Sequence, residues 1–255
     1  MAPSALTRNW IFGGCRLAIY DGYATRSRVG AGVAIKRHQA ETIFFRTMKH
    51  PEMPNFGGVL EIGPGDGYIG ELSQAAGLTY TAIEGSAGVA AGMRSRGFSV
   101  LDGYVPPMPA GLKSGYRACF LLHVIEHMKS PLEAAQLVSD IRDHLVPGGV
   151  LAIACPDASR WGGYFHDCDY THAYPLTRRR LAQLLRDQGM EVVAQTLYTG
   201  PVFGMRGLPI AWLAKMLYWP LLDDLIGPAR FNDVYNRGFL TFLPNILMIA
   251  RRPVK

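Results

Sequence analysis

A glycine-rich stretch early in the chain constrains the fold more than any other feature. Residues 59–67 have the sequence VLEIGPGDG, and a segment suited to a helix follows at 68–74. Glycine is needed where the backbone takes positive φ or approaches a ligand too closely for a Cβ atom. A buried strand, a tight turn through Gly63, Gly65 and Gly67, and a helix start form a ligand crevice at the carboxyl end of a strand in an α/β sheet. The stretch therefore predicts an α/β fold with a ligand at this turn.

Two acidic residues near the turn indicate which ligand. Glu61, at the end of the first predicted strand, would repel a pyrophosphate and suit a cation such as an amino or sulfonium group. Glu84 ends a second predicted strand that begins at residue 78. An acid about 20 residues beyond such a turn is placed to accept hydrogen bonds from ribose hydroxyls. These positions predict a cofactor that contains a nucleoside.

The motifs LEIGPGDG (60–67) and AIEGS (82–86) resemble the first two motifs of class I S-adenosylmethionine-dependent methyltransferases. In that family the glycine turn passes the methionine part of the cofactor, and the second acid holds the ribose. A later pair, Asp102 and Gly103, resembles the family position that meets the adenine amino group. The resemblance implies S-adenosyl-L-methionine as the cofactor. The cofactor-binding residues it implies are Glu61, Gly63, Gly65, Gly67, Glu84, Gly85, Asp102, Gly103 and His123.

Three later motifs indicate which group of methyltransferases the chain resembles. HVIEHMKSP (123–131), LVPGG (145–149) and LAIACPD (151–157) are similar to the fourth- and fifth-strand regions of small-molecule methyltransferases of the ubiquinone-biosynthesis type. The resemblance covers roughly residues 57–195. It implies a Rossmann-like, doubly wound, seven-stranded α/β sheet that is mostly parallel, with an antiparallel last strand. A helical N-terminal extension and a C-terminal substrate lobe complete the expected architecture.

Three histidines are candidate catalytic bases. His123 and His127 follow the predicted fourth strand, and His172 lies in an aromatic-rich, non-periodic segment. Imidazole titrates near neutral pH and can take a proton from a substrate hydroxyl. Two other interpretations stay open: the pair Glu126 and His127 only shapes the edge of the cofactor pocket, or a divalent metal is bound by His123, Glu126, His127 and a later histidine. We expect no metal, and for His172 a purely structural role is equally compatible with the pattern.

The chain divides into four predicted parts. These are an N-terminal helical cap (1–56), the cofactor-binding domain (57–199), an apolar lid or insert (200–242) and the final strand (243–255). The insert contains an apolar segment, 208–222, which is shorter than the ~20 residues that a membrane span needs. The segment suits a buried lid helix, a pocket for a lipid-like acceptor, a peripheral membrane contact or a homodimer contact.

The net charge and the cysteines of the chain bear on its binding partners and on its cellular compartment. A net charge of +6 favours anionic partners, but a solvated basic face explains it as well, and no nucleic-acid-binding motif accompanies it. We therefore expect no nucleic acid partner. The four cysteines have no C-x-x-C spacing and indicate no disulfide framework, which predicts a cytoplasmic protein.

The sequence as a whole predicts methyl transfer from S-adenosylmethionine to a small-molecule acceptor. Oxygen is the favoured nucleophile, in secondary-metabolite, quinone, glycan or lipid biosynthesis. Two alternatives remain: a non-catalytic protein that binds a nucleotide cofactor, and an NAD-dependent oxidoreductase. The oxidoreductase should carry the spacing G-x-G-x-x-G and lack Glu61, whereas the glycines here are spaced G-x-G-x-G.

Overall fold

The computed structural model describes residues 31–217 and 239–254. The described residues form an eight-stranded sheet in the order β3-β2-β1-β4-β5-β8-β6-β7. The strands are β1 (Gly58–Ile62), β2 (Tyr80–Glu84), β3 (Ser99–Asp102), β4 (Tyr116–Leu122), β5 (Leu145–Pro156), β6 (Glu191–Thr199), β7 (Val202–Phe203) and β8 (Asn245–Arg251). Neighbours from β3 to β5 are parallel, and β8 lies antiparallel between β5 and β6. The predicted seven strands and the antiparallel last strand are confirmed, and the two-residue β7 is added beside β6.

Helices lie on both faces of this sheet. They are α1 (Ala31–Met48), α2 (Tyr68–Ala75), α3 (Ala87–Ser95), α4 (Pro131–His144), α5 (Ala158–Trp161), α6 (Tyr164–Asp167), α7 (Arg178–Asp187) and α8 (Leu208–Leu217). Successive side chains of a strand point to opposite faces. In β1, Leu60 and Ile62 pack into a core with α4 and α7, whereas Val59 packs into a core with α1, α2 and α3. A strand buried on both faces has a continuous apolar sequence, which is why β1, β4 and β5 are recognisable in the sequence.

The helix starts follow from local capping. The Ser130 hydroxyl accepts a hydrogen bond from the Glu133 amide at 3.1 Å, and Pro131 occupies the first turn of α4. The Glu133 carboxylate in turn accepts from the Lys129 amide, which completes a capping box shifted by one residue. At the start of α7 the Thr177 hydroxyl accepts a hydrogen bond from the Arg180 amide at 3.3 Å. A serine followed by proline, and a threonine before a helical run, are local signals that predict these two helix starts, and the structure confirms both.

One strand is longer than the sequence predicts. The apolar run MEVVA (190–194) predicts the sixth strand, but this strand continues to Thr199 because β8 supplies pairing partners as far as Tyr198. The final strand, predicted within 243–255, is β8 and begins at Asn245, directly after a 3-10 turn at Leu240–Phe242. The predicted domain boundaries stay predictions.

Parts of the predicted cap and of the apolar segment 208–222 lie outside the described residues. The described part of the cap, residues 31–56, contains α1, and the described part of the segment is α8. Within residues 31–217 and 239–254, no helix combines the length and the apolar character that a membrane crossing requires.

Candidate active site

The glycine turn follows β1 directly and has the backbone geometry that the sequence predicts. Gly63, Gly65 and Gly67 have φ angles of 69°, 51° and 80°. A Cβ atom on Gly63 would lie 2.6 Å from the Val124 Cγ2 methyl, so a side chain is excluded there. A Cβ atom on Gly65 would have no neighbour within 4 Å. The exposed crest of the turn therefore leaves room for a ligand to approach the backbone.

Glu84 ends β2 and is tied to the chain that follows. One of its carboxylate oxygens accepts a hydrogen bond from the Ser86 amide at 2.7 Å. Burial raises the pKa of Glu84, and the hydrogen bonds from the amides of Ser86 and Gly85 oppose that rise. The side chain is half-buried, so a carboxylate oxygen is available to polar groups of a ligand at this strand end.

An exposed aromatic ring, which the sequence analysis did not single out, lies beside Glu84. A Cβ atom on Gly85 would lie 2.5 Å from the ring of Tyr104, and that side chain is 59% exposed. The Gly103 amide donates to the Glu84 carbonyl at 3.0 Å and holds this loop against β2. The sequence feature that could have identified Tyr104 is its position directly after the pair Asp102 and Gly103.

Asp102 is at the end of β3, as predicted, but its carboxylate has a partner within the chain. The Arg94 guanidinium donates to it at 2.6 Å, and 66% of the Asp102 side chain is exposed. A contact with a bound adenine would share this carboxylate with Arg94.

Glu61 is buried rather than open to a ligand, with 3% of its surface exposed. The Tyr80 hydroxyl donates a hydrogen bond to its Oε2 atom. Burial raises the pKa of Glu61 to about 8, although the bond from Tyr80 opposes the rise. Glu61 is therefore mostly protonated at pH 7 unless a cation lies nearby. Tyr80 was missed in the sequence, although in the β1–β2 register Glu61 pairs with Ala82, on the face of β2 that also carries Tyr80.

His123 lies just after β4 in an unusual backbone conformation. Its φ is 56°, and among the described residues no other non-glycine residue has positive φ. Left-handed backbone is uncommon in non-glycine residues, and strained residues of this kind cluster at active sites and ligand-binding sites. Its side chain is 45% exposed, and its neighbour Val124 lies against the glycine turn.

The imidazole of His123 has a partner on each nitrogen. Nδ1 lies 3.3 Å from Glu126 Oε1, and Nε2 lies 2.9 Å from the Tyr198 hydroxyl. Burial favours a raised pKa for Glu126, but the hydrogen bond from His123 and the charges of His123 and His127 lower it overall. An ionised carboxylate can only accept, so Nδ1 carries the proton and Tyr198 donates to Nε2. The arrangement leaves the lone pair of the His123 imidazole on Nε2.

His127 and His172, distant in sequence, are brought together. Their ring centroids are 4.9 Å apart, and both lie beside Glu126. The Tyr174 amide donates to the Glu126 carbonyl at 2.9 Å, which fixes the segment containing His172 against the turn containing His127. Burial lowers the pKa of His127 from its ordinary value, although the Glu126 charge opposes this. The three candidate bases thus form two groups that share Glu126.

Comparisons with known proteins agree with this geometry. A family of methyltransferase domains matches residues 37–195. No curated protein sequence matches the chain.

Three solved structures illustrate the likeness in fold. The (4+2)-cyclase SpnF is 18% identical with a TM-score of 0.60, and the alignment covers 91% of this chain and 86% of that one. Magnesium protoporphyrin IX methyltransferase (ChlM) from Synechocystis PCC 6803, with bound S-adenosylhomocysteine, is 13% identical with a TM-score of 0.57 and coverages of 91% and 92%. The N-methyltransferase NodS from Bradyrhizobium japonicum WM9, in complex with S-adenosylhomocysteine, is 11% identical with a TM-score of 0.56 and coverages of 91% and 96%. At such identities the likeness shows a shared fold, which by itself does not fix an acceptor.

Proposed function

This chain belongs to the methyltransferase domain family and is an S-adenosylmethionine-dependent methyltransferase, and we propose that it methylates an oxygen atom of a small-molecule acceptor. The observation that supports oxygen is the pair formed by His123 and Glu126 at the carboxyl end of β4. A hydroxyl acceptor must lose a proton as it is methylated, and an imidazole held by an ionised carboxylate is suited to take it. Val124 contacts the glycine turn, so this base lies next to the cofactor crevice.

The residues at the strand ends fit the cofactor. The turn at Gly65 is open, Glu84 presents a half-buried carboxylate, and the exposed ring of Tyr104 lies beside it. We propose that the turn carries the methionine part, that Glu84 accepts from the ribose hydroxyls and that Tyr104 covers one face of the adenine. S-adenosylmethionine supplies a methyl group that its sulfonium has already activated for transfer.

The chain's own contribution is then orientation and removal of a proton. Holding the acceptor oxygen in line at near-attack distance supplies much of the rate enhancement. The acceptor proton passes to Nε2 of His123 once the hydrogen bond between this nitrogen and the Tyr198 hydroxyl has broken. Glu126 keeps the proton on Nδ1 and stabilises the imidazolium. Because 45% of the His123 side chain is exposed, the proton can then leave to solvent.

The acceptor can be sought with a cofactor labelled in its methyl group and a panel of paired compounds that carry a hydroxyl or an amine on the same skeleton. We expect label in the hydroxyl compounds, and a kcat at least 100-fold lower in His123→Ala, in line with the loss of a general base. S-adenosylhomocysteine affinity, measured by titration calorimetry, shows separately whether His123 also contacts the cofactor, as the resemblance implies. His166→Ala removes an exposed histidine and serves as the matched control.

Three results would overturn the proposal. Label on nitrogen or carbon would exclude oxygen as the nucleophile. A wild-type kcat in His123→Ala would remove this residue as the base. Cofactor binding without turnover of any acceptor would favour the non-catalytic alternative.

The exposed side chains of α8 support an apolar acceptor. Trp212, Leu213 and Met216 are 65%, 53% and 63% exposed on one short helix. We expect Trp212→Ser to raise the acceptor KM. A membrane contact of this face would instead appear as flotation with lipid vesicles, and a homodimer contact as a dimer in sedimentation.

The cysteines support a reducing compartment. Cys119, Cys155 and Cys168, the cysteines of the described region, are unpaired thiols, and the first two are buried. Disulfides persist in oxidising compartments and are rare in the cytosol. We therefore propose that the reaction takes place in the cytoplasm.

A further inference from the structure

We propose that Glu126, His127 and His172 form a binding site for a divalent transition-metal ion of the Zn²⁺ type. Each residue offers one ligand atom, and the three atoms lie within 4.8 Å of one another. Atoms bound to one metal ion at about 2.0–2.2 Å lie roughly 3–4 Å apart, so small rotations of the two imidazoles bring the group to binding distance. Metal binding does not depend on the acceptor, so the inference stands apart from the proposed reaction.

The carboxylate of Glu126 supplies an independent indication of a ligand. The residue is 1% exposed, and its Oε1 atom has His123 as partner. Its Oε2 atom is buried and has no hydrogen-bond partner among the residues that the structure describes. A buried carboxylate oxygen without a partner is costly, because desolvation is not repaid. A cation beside Oε2 would supply the missing interaction.

A hydrogen bond holds the second ligand, His172, in the tautomer that can bind a metal ion. Nδ1 of His172 lies 2.7 Å from the Phe165 carbonyl, which can only accept, so Nδ1 carries the proton and Nε2 has the lone pair. A metal-bound histidine almost always donates its other ring N–H to a carbonyl, a carboxylate or water. His172 has that arrangement before any metal is bound.

The third ligand, His127, is oriented by hydrogen bonds that connect it to Thr171 and Asp169. Nδ1 of His127 lies 2.8 Å from the Thr171 hydroxyl, and that hydroxyl donates to Asp169 Oδ1 at 2.6 Å. Because the hydroxyl proton is used toward Asp169, the hydroxyl accepts from Nδ1–H of His127. His127 therefore also has its lone pair on Nε2. Asp169 and Thr171 orient this ligand as outer partners do in known metal sites.

The donor set indicates the class of ion and its use. Imidazole nitrogens suit Zn²⁺ and its transition-metal neighbours, whereas Ca²⁺ and Mg²⁺ prefer oxygen ligands. Two histidines and one glutamate leave a coordination position open, as in catalytic zinc sites. Since Glu126 also contacts His123, an oxygen of the acceptor bound at that position would lie near the proposed base.

The test uses the full chain without a histidine tag, stripped with a chelator. Titration with Co²⁺, followed by its visible absorption, and with Zn²⁺, followed by calorimetry, should give one ion per chain. We expect His172→Ala to weaken binding at least tenfold and Thr171→Val to weaken it roughly tenfold, since outer partners contribute 10- to 100-fold. The control is His166→Ala, an exposed histidine in the same segment, which should bind as tightly as wild type.

The outcomes separate this inference from the proposed reaction. Absence of a bound ion in the wild-type chain, or equal affinity in wild type and His172→Ala, would overturn the metal site. An equal loss in His166→Ala would also overturn it, because binding would then be nonspecific. Far-UV circular dichroism and S-adenosylhomocysteine titration of each variant show whether it is folded, and His172→Gln provides a second variant of similar polarity.

Discussion

The free energy of unfolding of this protein should fall as the pH rises because the buried Glu61 carboxyl has a raised pKa. Replacing Glu61 with glutamine should remove this pH dependence. Burial raises the pKa of Glu61 from 4.5 to about 8. In the folded chain the carboxyl therefore keeps its proton over a range where the unfolded chain has lost it. This pKa difference makes the free energy of unfolding depend on pH. The contribution of the protonated Glu61 carboxyl to that free energy is fully present below pH 4.5, and it is lost progressively as the pH rises to about 8. At 1.36 kcal/mol for each pKa unit, the loss over the whole range is about 5 kcal/mol.

The measurement is urea unfolding of wild type and Glu61→Gln across this range. Glutamine keeps an acceptor for the Tyr80 hydroxyl and does not titrate. The free energy of unfolding of wild type, relative to the variant, should fall by about 3 kcal/mol between roughly pH 5.5 and pH 8. The control is Asp187→Asn, which removes a carboxylate from an exposed position on α7. Parallel pH profiles for wild type and Glu61→Gln would refute the burial argument.

Three further changes test other parts of the structure. Glu84→Ala should weaken S-adenosylmethionine and S-adenosylhomocysteine binding roughly 10- to 100-fold in calorimetry, because hydrogen bonds to a charged group contribute about 1.5–3 kcal/mol; unchanged affinity would remove the ribose assignment. Gly63→Ala should lower the free energy of unfolding by about 1–3 kcal/mol more than Gly65→Ala, since only the first Cβ meets a methyl group, at 2.6 Å; equal values would contradict that contact. Trp161→Phe deletes a buried 2.7 Å hydrogen bond to the Pro244 carbonyl and should cost about 1–3 kcal/mol in urea unfolding; an unchanged midpoint would show that water replaces the indole.

The sheet and the glycine turn could be predicted because their signals are local. A nearly continuous apolar run identifies a strand buried on both faces, and β1 has such a run, interrupted by Glu61, directly before its glycines. Ser130 and Pro131 identify the start of α4 from two adjacent residues. The length of β6 was underestimated because its partner strand, which supplies the pairing, lies far along the chain.

The grouping of the histidines could not be predicted in the same way. His127 and His172 meet because the Tyr174 amide binds the Glu126 carbonyl and the Thr171 hydroxyl binds Nδ1 of His127, which are contacts between two irregular segments. No periodic pattern encodes such a contact. The partner of His123, Tyr198, lies in the part of β6 that the sequence left unassigned. Burial of Glu61 was missed for a related reason, since an acidic residue at a strand end gives no sign of a tyrosine on the neighbouring strand.

The position of β8 determines the order in which the sheet can be completed during synthesis. β8 pairs with β5 on one side and with β6 on the other, although both are translated before it. Until residues 245–251 leave the ribosome, the nascent chain therefore carries two strand edges with unpaired amides and carbonyls. Such edges can pair with other chains, so the fold is protected from edge-to-edge association on this side only after β8 has emerged.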